Sequence, residues 1–303
     1  MKAVFDTKPT SIYDDDISRH YQFPRRYLSI VEKCIDDWIV LRRPRADGGN
    51  LAYFATAKVI AVQADPNTPG MSYARLSDFL AFDELVRWRT FDRYAEEPLR
   101  NIPQQQVGVY LRGRSVRPLS EADFANLIAA GIKRTLDPAN SERLSVPSTI
   151  VEDAIDAVQP PPAGERNWRI EKMLTNRIIR DASFRGKVYD AYDNRCAVTR
   201  LRILDAKGNS EVHAAHIWAV ADGGPDVVQN GLALSATVHW LFDRHLISLT
   251  DNYELLVADT LVPIEYRTLF AQFGDRIQLP VDPKSWPHPS YLSKHRELFL
   301  AAK

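Results

Sequence analysis

The sequence predicts an α+β protein of two domains joined by a helical segment, and three observations carry that expectation. Its 303 residues, 45% of them hydrophobic, can fill two cores of ordinary size. Short strand-like runs crowd residues 18–110, whereas helix-like apolar periodicity dominates 120–192. The stretch Q-P-P-P-A-G-E at 159–165 has the clearest linker composition in the chain. Together they place a strand-rich domain at 1–110, a helical linker at 111–165 and a second domain at 166–303.

Charge and cysteine usage narrow the class. Thirty-nine basic residues balance 39 acidic ones, which taken alone argues against nucleic acid. The local balance differs: ten Lys and Arg stand against four Asp and Glu over Arg166–Arg202, and seven against three over Arg19–Arg45. Such stretches fit a DNA binder with a polarised surface; a solvated helix face is the alternative for each. Cys34 and Cys196 lie far apart with no C-x-x-C pair, so neither a zinc ribbon nor a disulfide framework is expected. The start, M-K-A-V-F-D-T-K-P, carries no apolar signal core and no run reaches membrane-spanning length, which leads to the expectation of a soluble, cytoplasmic protein with no membrane partner.

In chain order, residues 1–18 are acidic and polar and read as an arm. D-W-I-V-L-R-R-P-R is a strand run into a Pro stop, and L-A-Y-F-A-T-A-K-V-I-A-V alternates over a longer span; A-D-G-G-N between them is a turn signal. A loop, A-D-P-N-T-P-G, leads into S-Y-A-R-L-S-D-F-L-A-F, whereas E-L-V-R-W is too short to assign. Strands at this spacing suggest a small, strongly curved sheet or barrel. Further on, Ser120 stands at the N-cap of a helix through Ile132, with Asp123 at the capping-box position, and S-T-I-V-E-D-A-I-D-A-V reads as a second helix. W-R-I-E-K-M-L-T-N-R-I-I-R and F-R-G-K-V-Y-D-A-Y read as two basic helices, with Arg177, Arg180 and Arg185 as candidate phosphate contacts. S-Y-L-S-K-H-R-E-L-F-L closes the chain as a helix.

The stretch W-I-V-L-R-R-P-R, Y-F-A-T-A-K-V and Y-A-R-L resembles the PUA-like superfamily, which includes EVE, YTH and SRA domains. That resemblance implies a β-barrel that holds modified or flipped bases. A flipped base needs an aromatic wall and a few polar groups. Trp38 and Phe54 lie in apolar runs and are expected to point inward, so Tyr53, Tyr73 and Trp88 are the candidates for a modified-base pocket; core packing is the competing role for each.

The organising stretch is Cys196–Ser248. His216 ends a run, V-H-A-A-H-I, that alternates like a strand; Asn230 follows a Gly-Gly-Pro turn; His239 and Asp243 lie four residues apart, one turn apart on one helix face. The pieces A-A-H-I, G-G-x-D-x-x-x-N-G-L and H-x-x-F-D resemble the HNH nucleases, and the likeness extends over about 166–300 through R-I-I-R, A-Y-D-N-R-C-A-V-T and P-H-P-S-Y-L-S-K-H-R. The resemblance implies a ββα-metal fold in which His216 is the general base, its second ring nitrogen held by a neighbour. Asn230 pins the loop, and His239 and Asp243 bind one divalent ion. A His-plus-carboxylate site suits Mg²⁺, Mn²⁺ or Ni²⁺ and does not exclude Zn²⁺. Many members carry a further ligand directly before the base, where this chain has Ala215. His213 shares the strand face of Ala215, and three roles are open to it: the missing ligand, a DNA contact, or packing. Cys196 is expected to pack behind the metal site.

Three readings of function follow. One is a modification-dependent DNA endonuclease that recognises 5-methyl or 5-hydroxymethyl cytosine in double-stranded DNA through its first domain. Another is an HNH nuclease whose first domain reads unmodified sequence or docks to a partner. The third is a noncatalytic nucleic-acid binder on a decayed scaffold. Cutting both strands needs two centres or two successive nicks, which slightly favours a homodimer.

Overall fold

A computed structural model describes residues 1–8, 13–44, 51–91, 93–159 and 166–301. The A-D-G-G-N turn, Arg45 and residues 160–165 of the proline-rich linker lie outside the described residues. The chain divides into two compact units, 1–141 with 146–183, and 142–145 with 184–303.

The first unit is built on a mixed sheet. Its strands are β1 (Ala3–Asp6), β2 (His20–Pro24), β3 (Trp38–Arg43), β4 (Ala52–Ala64) and β5 (Met71–Arg87), followed by the two-residue strands β6 (Arg89–Thr90) and β7 (Arg93–Tyr94), and by β8 (Val116–Pro118). The six-stranded sheet runs β2-β5-β4-β3-β1-β8, with β1 parallel to β3 and every other pairing antiparallel. Register shifts at Leu41/Arg42 and at three places along β4 and β5 insert extra residues. Each such bulge bends the strand and adds twist, and the sheet curls into a half-barrel. E-L-V-R belongs to β5, which runs for 17 residues.

Residues 1–18 are not an arm throughout. Ala3, Val4 and Phe5 are fully buried in β1, between β3 and β8. Three apolar residues between polar flanks give no strand signal alone, and the partners that bury them come from residues 39–42 and 116–118. The segment 111–165 likewise does more than connect, since it supplies β8.

Helices α1 (Leu28–Glu32), α2 (Glu97–Arg100), α3 (Gln104–Leu111), α4 (Glu121–Gly131), α5 (Ser148–Val158) and α6 (Arg166–Thr175) complete this unit. Ser120 Oγ accepts the Asp123 amide at 3.2 Å, the expected cap of α4. Helix α7 (Arg177–Ala191) runs unbroken through both R-I-I-R and F-R-G-K-V-Y-D-A. The helix break falls instead at Asn176, whose Oδ1 accepts the Ile178 amide at 3.0 Å and so caps α7. The division between units falls inside α7, between Ser183 and Phe184, rather than at 165. Lys2 pairs with Glu171 at 2.9 Å, Arg180 with Asp78 at 2.9 Å, and Ser183 Oγ reaches the Ala81 carbonyl at 3.2 Å, so α6 and the first half of α7 are tied to the sheet.

The second unit contains the hairpin β9 (His213–His216) and β10 (Gly231–Leu234), then α8 (Ala236–Asp243), a second hairpin β11 (Ile247–Leu249) and β12 (Leu255–Val257), and helices α9 (Ile264–Gln272) and α10 (Pro289–Ala301). Val188, Cys196, Leu232, Leu234, Phe242 and Leu292 share its core. Among the described residues no helix is long and apolar enough to cross a membrane.

Candidate active site

His216 is placed by three elements. It ends β9, directly opposite Gly231 of β10, and its ring stacks on Phe184 of α7 with centroids 3.9 Å apart and planes 10° apart. Residues directly opposite share a face of the hairpin, so a side chain at 231 would compete for the space Phe184 fills. A Cβ there would lie 2.5 Å from Val188 Cγ2 and 3.0 Å from the Phe184 ring. Gly231 thus lets the aromatic ring reach the imidazole. At the ring's edge, His216 Nε2 lies 2.9 Å from Asp226 Oδ1.

Asn230 is fully buried, and its carboxamide is used entirely by the loop before it. Oδ1 accepts the Trp218 amide at 2.9 Å, while Nδ2 donates to the Trp218 carbonyl at 2.9 Å and the Pro225 carbonyl at 3.0 Å. These bonds lock both ends of the segment that presents Asp226. Asp226 stands inside G-G-x-D-x-x-x-N-G-L, and that motif position was the only sequence signal for it.

On α8, His239 Nε2 and Asp243 Oδ2 are 3.2 Å apart, as the spacing of four requires. The exposed His213 ring meets His239 edge-on, centroids 5.5 Å apart. Partial burial pushes the Asp243 carboxyl up, but the His239 hydrogen bond and the His239, His295 and His245 rings outweigh it and hold the group below its ordinary value. An imidazole and a carboxylate on one helix face suit a divalent cation, so the chemistry of the pair fits two ligand positions, and His213 lies beside His239. As they stand, no three His, Cys, Asp or Glu among the described residues are gathered into a group that could hold an ion. Ala215, buried in the core, offers no ligand.

Behind α8 lies a cluster that the sequence did not reveal. His295 of α10 is buried, stacks on Phe242, contacts His245 Nδ1 at 3.3 Å and the Phe242 carbonyl at 3.0 Å, and has Ser248 Oγ 2.9 Å from its Nδ1. Cys196 is buried in the same unit's core.

The three arginines all have partners within the protein. Arg177 pairs with Asp181 at 2.7 Å, Arg180 with Asp78 at 2.9 Å, and Arg185 donates twice to the Leu144 carbonyl, at 3.0 and 2.6 Å.

In the first unit, Tyr53, Tyr73 and Trp88 are not brought around one pocket. Tyr53 faces the core from β4 and donates its hydroxyl to Glu96 at 2.6 Å, so it has no surface to offer a base. Tyr73 bonds Asp14 at 3.0 Å and lines a recess with Gln22 and Asp65. Trp88 lines a separate cavity of about 610 Å³ with Asp6, Tyr13, Tyr21, Tyr27 and Arg42. Arg42 grips Asp6 at 2.7 and 2.8 Å, its guanidinium lies 5.7 Å from the Trp88 ring centroid, and its buried Nη1 has no hydrogen-bond partner among the described residues.

Residues 196–250 match the model of the HNH endonuclease family. Comparison with curated proteins finds no match. Among solved structures, the chain is similar to the modification-dependent TagI restriction endonuclease, with 15% identity, 88% of this chain and 64% of that chain covered, and a TM-score of 0.31. It is also similar to the N-terminal domain of Staphylothermus marinus McrB, with 11% identity, 43% and 94% covered, and a TM-score of 0.31. A third likeness is to the Type IV phosphorothioation-dependent restriction endonuclease ScoMcrA, with 12% identity, 98% and 57% covered, and a TM-score of 0.22. The chain therefore spans less than two thirds of the length of TagI and of ScoMcrA.

Proposed function

We propose that this protein is a metal-dependent DNA endonuclease. In this reading the second unit hydrolyses phosphodiester bonds, and the first selects DNA that carries 5-methyl or 5-hydroxymethyl cytosine. The observation that carries it is His216, held between Phe184 and Asp226 on a loop locked by Asn230, within the segment that matches the HNH endonuclease family.

His216 takes a proton from water as the water oxygen bonds phosphorus; the bond from phosphorus to the leaving oxygen breaks, and solvent protonates that oxygen. His239 and Asp243 would hold a divalent ion, Mg²⁺, Mn²⁺ or Ni²⁺, with His213 as a third donor, and the ion would supply positive charge for the phosphate and leaving oxygens. Arg177, Arg180 and Arg185 are proposed to contact phosphates, by exchanging their present carboxylate or carbonyl partners.

For base selection, the cavity lined by Trp88, Tyr13 and Tyr27 supports the reading better than Tyr53 or Tyr73 does, because it joins aromatic walls to a buried donor on Arg42 that has no hydrogen-bond partner among the described residues. Unpairing costs a few kcal/mol and stacking returns roughly 1–3 kcal/mol per base. A methyl group adds only about 1 kcal/mol by area, so rejection of plain cytosine would need polar or steric mismatch as well. A homodimer would supply the second centre for a double-strand break.

The test incubates the full chain and His216→Ala with plasmids that are unmodified, 5-methylated or 5-hydroxymethylated, in each of the three metals. Cleavage confined to modified plasmid, and reduced on the order of 10²-fold or more in His216→Ala, is the expected outcome. Equal cutting of all plasmids would remove the modification dependence. Tight binding by the wild type without cutting in any metal would make the protein a noncatalytic binder.

A further inference from the structure

We infer that Asp226 is a positioning residue that keeps the proton of His216 on Nε2 and thereby leaves Nδ1 as the basic nitrogen. The catalytic consequence rests on the nuclease reading above; the placement of the proton does not. An ionised carboxylate can only accept a hydrogen bond. With Asp226 ionised and its Oδ1 2.9 Å from His216 Nε2, the imidazole donates from that nitrogen, and in the neutral ring the lone pair then sits on Nδ1. Nδ1 makes no hydrogen bond among the described residues and is not among their buried, unsatisfied side-chain atoms, and the His216 side chain is 20% exposed, so water can reach this nitrogen.

The surroundings are built to hold this arrangement. The Asp226 side chain is only 6% exposed, so its bond to the ring is little diluted by solvent. Asn230 ties the Trp218 and Pro225 backbones together, which sets where residue 226 leaves the loop. Phe184 stacks flat against the imidazole at 3.9 Å and limits rotation about the ring's own axis. Asn230 and Asp226 thus act in series: the amide locks the loop, and the carboxylate on the loop orients the base.

The decisive variant is Asp226→Asn, close to wild type in shape and matched to it by melting temperature. Its carboxamide can donate to Nε2, which moves the proton to Nδ1 in part of the population. In the full chain with ¹⁵N-labelled histidine at about pH 8, where an ordinary imidazole is neutral, long-range ¹H–¹⁵N correlation should place the wild-type His216 proton on Nε2 and detect Nδ1–H in the variant. Cleavage kcat should fall on the order of 10²–10⁴-fold, the range of a general base, while KM for DNA changes less than about twofold, because the DNA contacts are untouched. A wild-type proton on Nδ1, or an unaltered kcat in Asp226→Asn, overturns the assignment. If the wild type cleaves no DNA, the nuclease reading fails, and the correlation spectrum alone decides the role of Asp226.

Discussion

At the end of α8, His295 stacks on Phe242 with ring centroids 3.7 Å apart, and burial drops its pKa from 6.5 to about 4, against the opposing hydrogen bond to the Phe242 carbonyl. The folded value lies below the unfolded one. Between about pH 6.5 and 4 the unfolded chain therefore binds a proton that the folded chain refuses, and stability is fully present above the unfolded value and lost as pH falls toward the folded one. A shift of this size corresponds to roughly 3 kcal/mol. We expect the His295 Cε1 proton to titrate in NMR with a midpoint of about 4, and His295→Gln to flatten the pH dependence of urea unfolding across that window. A midpoint near the ordinary histidine value would contradict the neutral, buried ring. The sequence held no hint of this group, because Phe242, His245 and Ser248 meet it from some fifty residues away.

The β9–β10 hairpin shows how an element positions one side chain through the absence of another. Gly231→Ala would drive a methyl group into Val188 and the Phe184 ring, both in the packed core. Overpacking of this kind typically costs about 1–3 kcal/mol. Thermal unfolding should register that loss, and cleavage should fall further than Phe184→Leu alone would lower it, since the strand opposite His216 also shifts. An unchanged melting temperature would show that the hairpin yields freely. Elements marked by caps or strict periodicity were legible in the sequence: α5 spans Ser148–Val158 as its apolar spacing predicts, and α4 begins at the Ser120 cap. The α6–α7 break was missed because Asn176 lies within an unbroken amphipathic pattern, and only its side-chain bond to Ile178 marks the end.

Across the first unit as a whole, buried charges join distant strands. Asp6 of β1 takes Arg42 of β3 and Arg117 of β8, and Arg117 also binds Glu96, which accepts the Tyr53 hydroxyl of β4. Paired carboxylates push the Arg117 guanidinium up, outweighing the burial that would lower it. Removing one partner leaves the others charged and dry, a change that usually costs about 3–5 kcal/mol. Glu96→Ala should therefore lower the unfolding free energy of the first unit, measured by denaturant titration, by that order, while the His295 resonance, a reporter of the second unit, keeps its titration. Destabilisation below about 1 kcal/mol would mean that water replaces the lost carboxylate.

By itself, the sequence determined the mixed α+β class, the strand–loop–helix order around His216, Asn230, His239 and Asp243, and the shared helix face of the last two, because periodicity and motif spacing are local properties. Only the tertiary structure decided that β1 lies inside the sheet, that α6 and half of α7 pack with the first unit, that Tyr53 is a core residue, and that Asp226 faces His216. Each of these depends on which distant residue fills the space beside a side chain, and a linear pattern of polar and apolar residues carries no record of that neighbour.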